Sequence, residues 1–246
     1  MPPLPQKPIR VAFVTALFPA APGAFIVNQV ADLIDRGAVV SLFAFHLGGT
    51  ENVSERYHSY HMDKLAQSLD MPHSYVERIY RAIPKIIHVL RVKPMALPRI
   101  FNFFRYGRNA LSLKMLFWAE PFLDADFDIV HCHYGSMANK FLQIKDMLGL
   151  TQKIIVTFYG VDVSHLVKKN GPNYYDRLAK EGSLFFVMSE NMKSRVIPLG
   201  FPAEKVKVLP DYNIINGKLC RESMNTIVLW ALPYNIANKF LCGHIF

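Results

Sequence analysis

With 246 residues, 51% of them apolar and 13% aromatic, the chain can bury a large core, which excludes wholesale disorder. Sixteen prolines and thirteen glycines are spread without a period, which excludes collagen-like and linker-like chains. The formal charge of +9 admits nucleic acid, an anionic bilayer leaflet or a phosphate-bearing substrate as partner and does not choose among them.

Residues 9–17, I-R-V-A-F-V-T-A-L, are almost continuously apolar and rich in valine, as suits a strand buried on both faces of a parallel sheet. Lys7 and Arg10 ahead of V-A-F-V-T-A-L-F, with P-A-A-P-G-A behind it, imitate a secretory signal, but the same residues serve better as the first strand of a repeating α/β pattern. From Phe25 to Arg36 the positions Phe25, Ile26, Val30, Leu33 and Ile34 recur at helical spacing, and Gly37 suits a C-terminal cap. Val39 to Phe45 then completes a βαβ unit.

The middle of the chain reads as helical. Val76, Ile79, Tyr80, Ile83, Ile86, Ile87 and Leu90 form an apolar stripe, with Glu77, Arg78, Arg81, Lys85 and Arg91 mostly off it. Between Arg78 and Lys114 there are nine lysines or arginines and no Asp or Glu. A second stretch, Arg99 to Trp118, is rich in Phe and Arg with poorer periodicity. Alternation then resumes: a strand near 129, a helix over Met137–Leu148, a strand near 153, a helix near Tyr174–Lys180, a strand near 183, a helix from Ser189 to Leu199 and a strand near 206. Such alternation predicts a doubly wound parallel sheet covered by helices on both faces, with ligands at the carboxyl ends of its strands.

Three cysteines, Cys132, Cys220 and Cys242, give no disulfide framework and favour a reducing compartment. No apolar run reaches the roughly 18 residues that span a bilayer. From Asp211 onward neither periodicity is clean, and 211–246 reads as an atypical tail, frameshifted or disordered, after a domain over 1–210.

The stretch D-I-V-H-C-H-Y-G, residues 128–135, carries the densest chemistry. In a strand His131 and His133 point to one side and Cys132 to the other. The pair could ligate zinc, but no third or fourth ligand stands at a recognisable spacing. His131 is expected to fill core space and bond a backbone carbonyl. His133 sits where a base reaches bound ligand, followed by Tyr134 and Gly135, and both a functional and a structural role stay open for it. Asp124, Asp126 and Asp128 precede the strand, at the edge opposite the ligand loops, and are expected to form a solvated turn rather than a metal site. In F-Y-G-V-D, Gly160 would let backbone approach a ligand, and Asp162 would cap the next segment or orient a hydroxyl. Ser189 is a natural N-cap. Gly23 lies in the first strand-to-helix loop, but P-A-A-P-G-A is no G-x-G-x-x-G.

Taken in order, P-G-A-F-I-V-N-Q-V-A-D-L-I-D-R-G, D-I-V-H-C-H-Y-G, V-T-F-Y-G-V-D-V-S, V-M-S-E-N-M and L-G-F-P-A-E-K-V-K-V-L-P resemble the amino-terminal half of a family 4 glycosyltransferase over residues 9–210. The resemblance implies a single Rossmann-like domain, the acceptor side of a GT-B fold, with an inserted basic helical segment. It implies retaining transfer from a nucleotide-sugar, used as co-substrate, to a polysaccharide or lipid-linked acceptor, with neither metal nor other cofactor. Gly23 and Ala24 would lie near the donor phosphates and His133 would match the histidine near the reacting hydroxyl. Tyr134, Gly135, Tyr159, Gly160, Asp162 and Ser189 would lie close by. Members often carry H-G-x-D where this chain has Y-G-V-D, so Tyr159 departs from the commoner residue. Where a linker and donor domain usually follow, this chain has 36 residues after Pro210, so the resemblance implies a truncated form, inactive alone. It also implies a cytoplasmic location with peripheral contact on the inner face of the membrane. The stripe of 76–90 would then meet lipid, or pack inward with a solvated basic face outside. The rival reading is a non-catalytic α/β module binding an anionic glycan, lipid or protein. No reading module for nucleic acid surrounds the basic run.

Overall fold

The computed structural model describes residues 8–20, 24–51, 53–124 and 126–209. Gly23 and the tail 211–246 lie outside the described residues. The strands are β1 (Arg10–Phe18), β2 (Val39–Leu47), β3 (Ala66–Ser68), β4 (Ile129–His133), β5 (Lys153–Thr157), β6 (Leu184–Val187) and β7 (Val206–Val208). They form one sheet in the order β3-β2-β1-β4-β5-β6-β7 with every pairing parallel. The winding reverses between β1 and β4, where Val11 pairs with Ile129 and Val14 with Cys132. In open sheets of this kind ligands bind at that reversal, outside the carboxyl ends of the strands.

Period-two alternation sends the two halves of each strand to different layers. Ala12, Val14, Val130, Cys132, Ile154, Val156, Phe185 and Val187 join one core cluster. Phe13, Ile129, Ile155, Leu184 and Phe186 join the other, beneath α1 (Ala24–Asp35). The apolar stripe read for α1 is the buried one, through Ile26, Val30 and Leu33. Its C-terminus closes on Gly37, whose φ of +82° suits a residue without Cβ, and Ala38 N–H donates to Leu33 O at 3.0 Å.

The basic helix α2 (Tyr75–Val92) inverts its expected amphipathicity. Only Ala82 and Val89 are buried, whereas Val76 and Tyr80 are 79% and 77% exposed and Ile79, Ile83, Ile87 and Leu90 are also exposed. The inward face combines Ala82, Ile86 and Val89, packed against the core, with polar contacts. Arg78 donates to Pro72 O at 2.9 Å and Ser112 O at 3.3 Å. Lys85 pairs with Glu120, and His88 meets Glu120 through Nδ1 at 2.8 Å and Asp124 through Nε2 at 3.1 Å. Small Ala82 lets the helix approach closely enough for those long side chains to reach. The reading in which the stripe packs inward is corrected, save at Ile86, and part of the basic set turns inward instead.

Residues 97–111 are not one helix but three short ones, Leu97–Ile100, Phe103–Tyr106 and Arg108–Leu111, followed by α3 (Lys114–Ala119). Asn102 caps the second through Arg105 N–H at 3.0 Å, and Gly107 at φ +52° and Leu113 at φ +64° break the run. This explains the poor periodicity. The helix expected from Met137 begins two residues earlier, as α4 (Gly135–Leu148), and the one expected at 174–180 starts as a 3-10 turn and becomes helical at Asp176. Two short helices, Gly160–Val163 and His165–Asn170, have no counterpart in the periodicity because four to six residues are too few to show one.

Candidate functional site

β4 delivers His131, Cys132 and His133 to the rim with the alternation expected. Cys132 lies in the core under α4, where burial pushes its thiol up and leaves it unreactive. Both histidines face the α1 layer, fully buried, with ring centres 4.5 Å apart. His131 Nε2 is 2.8 Å from Thr157 Oγ1, so its partner is a side-chain hydroxyl on β5 rather than a backbone carbonyl. The register explains this, because β4 and β5 run side by side with His131 opposite Ile155 and His133 opposite Thr157.

His133 is roofed as well as flanked. Phe13 stacks on it at 5.4 Å and 18°, and Phe25 at the start of α1 covers it at 6.0 Å. Its Nδ1 is 2.9 Å from the Tyr159 hydroxyl. Its Nε2, like Nδ1 of His131, has no hydrogen-bond partner among the described residues. Burial holds His131 down to about 3, and burial with the neighbouring His131 holds His133 well below the usual imidazole range. Both rings are neutral at physiological pH. A buried polar atom left unpaired costs about 1–3 kcal/mol, a penalty that marks the spot for a functional explanation.

Asp162 ties two turns of the rim together. Its Oδ1 accepts from Gly135 N–H at 3.1 Å and its Oδ2 from Tyr159 N–H at 3.0 Å. It therefore caps its own segment rather than the next one, and also clamps the start of α4. Burial raises its carboxyl to about 6, against the opposing pull of the backbone N–H donors. Gly135 is sterically required, since a Cβ there would meet Phe158 Cε1 at 2.4 Å and Tyr175 Cε1 at 2.8 Å. The preceding Tyr134 takes φ +74°, a backbone region uncommon for a residue with a side chain, and its ring lies 4.7 Å from that of Tyr159.

Gly160 is exposed, with nothing within 4 Å of where a Cβ would stand, so its backbone faces open space. Ser189 accepts from Met192 N–H at 3.2 Å and is the N-cap of the helix Glu190–Val196. Ala24 begins α1, on the far side of Gly23 from β1. The rim thus brings together Tyr134, Gly135, Tyr159 and Asp162 around His133, with Ser189 two strands away from β4 on β6's turn.

Phe25, Gln29, Thr157 and Tyr175 were not singled out by sequence and belong to the same setting. Gln29 is buried with Oε1 unpartnered among the described residues, one turn beyond Phe25. A glutamine inside the apolar stripe of α1 was the available signal.

Asp126 and Asp128 both pair with Arg10 at the opposite edge of the sheet, Asp128 Oδ1 at 2.7 Å from its Nη2. They clip β1 to the start of β4. Among the described residues no group of three His, Cys, Asp or Glu could hold a metal ion.

The sequence profile of Glycosyltransferase Family 4 matches residues 23–211. The amylovoran biosynthesis glycosyltransferase AmsK of Erwinia amylovora is 30% identical over 219 residues, covering 81% of this chain and 50% of that protein. Two solved structures are similar: a glycosyltransferase from Rickettsia africae (14% identity, TM-score 0.47, 97% of this chain and 51% of that one) and the lipopolysaccharide outer core galactosyltransferase WaaB (10% identity, TM-score 0.47, 82% and 45%). The chain spans about half the length of the curated relatives it matches. With the family profile running from the first loop of the sheet to beyond its last strand, the chain belongs to Glycosyltransferase Family 4.

Proposed function

We propose that residues 8–209 form the acceptor-side wall of a retaining glycosyltransferase that moves a sugar from a nucleotide-sugar to a polysaccharide or lipid-linked acceptor of surface-polysaccharide synthesis. Family membership supports the reaction class, and the AmsK likeness supports the substrate class. The observation that carries the placement is the His133–Tyr159 pair at the reversal of the sheet. His133, expected at the reacting hydroxyl, lies beneath the surface, and Tyr159 is the half-buried member of the pair. In this reading the neutral imidazole fixes the Tyr159 hydroxyl, and that hydroxyl meets the acceptor. Asp162 and Gly135 hold the two turns that carry the pair. Gly160 leaves room beside Tyr159 for a sugar ring.

The outward stripe of α2 supports contact with an anionic bilayer. Tyr80, Ile83, Ile87 and Leu90 are exposed, Arg81 and Arg91 flank them, and Met95, Phe103 and Phe104 farther along are exposed too. Apolar residues enter the headgroup boundary while the basic ones meet anionic lipid, each basic residue contributing roughly 1 kcal/mol near such a surface. Among the described residues no helix is long and apolar enough to cross a membrane, so the contact is peripheral in this reading.

Saturation-transfer NMR with lipid-free acceptor oligosaccharides tests the wall directly. Signals transferred in the wild type and attenuated in Tyr159→Phe support it, and glycans that receive no saturation from the wild type overturn it.

A further inference from the structure

On the other face of the rim, two lysines share one indole. Lys114, the first residue of α3, places Nζ 4.8 Å from the Trp118 ring centre, and Lys140 of α4 places its Nζ 5.6 Å from the same centre and 4.2 Å from that of Phe45. Phe45 and Trp118 meet edge to face at 4.9 Å, a rigid wall built on β2 and α3. Both lysines are partly buried, and among the described residues no carboxylate pairs with either. Lys85, Lys145 and Arg177, also partly buried, are matched by acids, and Arg78 and Lys205 by backbone carbonyls, whereas these two lysines face aromatic rings. Burial and the proximity of Lys114 lower the affinity of Lys140 for its proton, so the two charges are felt by each other rather than neutralised.

The position is as informative as the charge. Thr15 is opposite Ala44, and His133 follows Cys132, which is opposite Val14, so His133 stands level with Ala44 and Phe45 is one residue farther out. Phe45 therefore reaches the ligand edge on β2, and the lysines of α3 and α4 that meet it lie on the opposite face of the sheet from His133. Two strand spacings, about 10 Å, separate the backbone of Phe45 from that of His133 along the rim.

We propose that Lys114 and Lys140, backed by Trp118 and Phe45, form a subsite for a phosphate group carried by the acceptor. A phosphate between the two ammonium groups removes their repulsion and gains charge-assisted hydrogen bonds, for which lysine is well suited as a point charge. The aromatic faces hold the two partly desolvated ammonium groups by cation–π attraction, and the phosphate would meet their remaining N–H donors. The acceptor would thus be a phosphorylated glycan or a phosphate-linked lipid, anchored by its anionic end while its hydroxyl reaches Tyr159. This rests on the transferase reading, but its test does not require transfer.

Trp118 is its own reporter once Trp230, the second of the two tryptophans, is changed to Phe. The full chain carrying Trp230→Phe is titrated with inorganic phosphate against chloride at matched ionic strength, and separately with vesicles of phosphatidylglycerol or phosphatidylcholine. The expected result is a saturable change in Trp118 emission with phosphate and not chloride, weakened at least tenfold by Lys114→Met or Lys140→Met and retained in Lys114→Arg. A lysine-dependent response to phosphatidylglycerol alone supports the subsite with a lipid headgroup as source. Equal responses to phosphate and chloride without a lysine-dependent lipid response, or methionine variants that bind as the wild type does, overturn it. Unfolding midpoints check the variants, and Lys114→Met alone carries the test if Lys140→Met does not fold. Loss of glycan saturation transfer with phosphate binding intact would sink the transferase reading and leave the subsite standing.

Discussion

Asp162 and Gly135 are 27 residues apart, yet the carboxylate of one accepts the first N–H of the helix begun by the other, at 3.1 Å. With Tyr159 N–H on the second oxygen, a single side chain fixes the β4 and β5 turns relative to each other. The cost is a buried charge, which is why the carboxyl is raised to about 6.

A signature in pH follows. The folded carboxyl binds its proton more tightly than the unfolded one, whose ordinary value is about 3.9, so this group's contribution favours the fold at low pH and declines as pH rises from about 4 to about 6. A two-unit shift is worth about 3 kcal/mol. Asp162→Asn removes this dependence and leaves one oxygen for two N–H donors. Urea unfolding at pH 4.5 and pH 7.5 should show the substitution costing more at the lower pH. An equal or larger cost at pH 7.5 would contradict a raised carboxyl.

The two buried histidines act with the opposite sign. Their folded values are depressed below 6.5, so the unfolded chain takes up protons first and stability is lost as pH falls through 6.5. His88 differs, because hydrogen bonding to Glu120 raises it, and the stability it adds is present below 6.5 and lost as pH rises through its folded value. Proton NMR from pH 8 to 5 should show two imidazoles that do not titrate and one that titrates above the ordinary range. Movement of the His133 resonance near pH 6.5 would mean that it is solvated.

Two glycines of the same rim should part company. Gly135→Ala drives a methyl into Phe158 and Tyr175 and is expected to destabilise by about 1–3 kcal/mol, as overpacking does. Gly160→Ala meets nothing and should stay within about 0.5 kcal/mol of wild type. Thermal unfolding of the pair decides, and equal costs would mean that the Phe158–Tyr175 wedge yields.

The inverted face of α2 gives a separation of stability from surface binding. Replacing Tyr80, Ile83 and Ile87 by serine should leave the unfolding midpoint nearly unchanged and abolish flotation with phosphatidylglycerol vesicles. Val89→Ala, by contrast, should cost about 1–3 kcal/mol and leave flotation intact. Wild-type protein that fails to float, or floats equally with phosphatidylcholine, would exclude an anionic bilayer as the partner.

α1 and the strands other than β3 were legible because each buries a continuous run or a single stripe, so pattern and burial coincide; β3, three residues with two exposed, shows no such pattern. The alternation that sends His131 and His133 to one layer and Cys132 to the other followed from period two alone. α2 was legible as a helix and not in orientation: the stripe Val76–Leu90 is real, but amphipathicity gives a helix's faces without saying which one the protein covers. Here Glu120 and Asp124, more than thirty residues away, draw Lys85 and His88 inward. The site was legible residue by residue and not in depth. Sequence could place His133 at the end of its strand but could not show that Phe13 and Phe25 bury its ring, or that Asp162 reaches Gly135, because both depend on register between separate strands.

The clip between Arg10 and Asp128 spans 118 positions, and the pairing of β1 with β4 that it secures is the seam on which the whole sheet turns. Strands β1 to β3 come from one contiguous stretch and β4 to β7 from another, so each half can assemble over short distances. Joining them means closing the loop over residues 69–128, an entropy on the order of 4 kcal/mol that is repaid only when both halves already present their edges. Nascent chains released before residue 129 would therefore carry the β1 edge unpaired, and the order of synthesis, as much as equilibrium stability, governs how long that edge stays open to other chains.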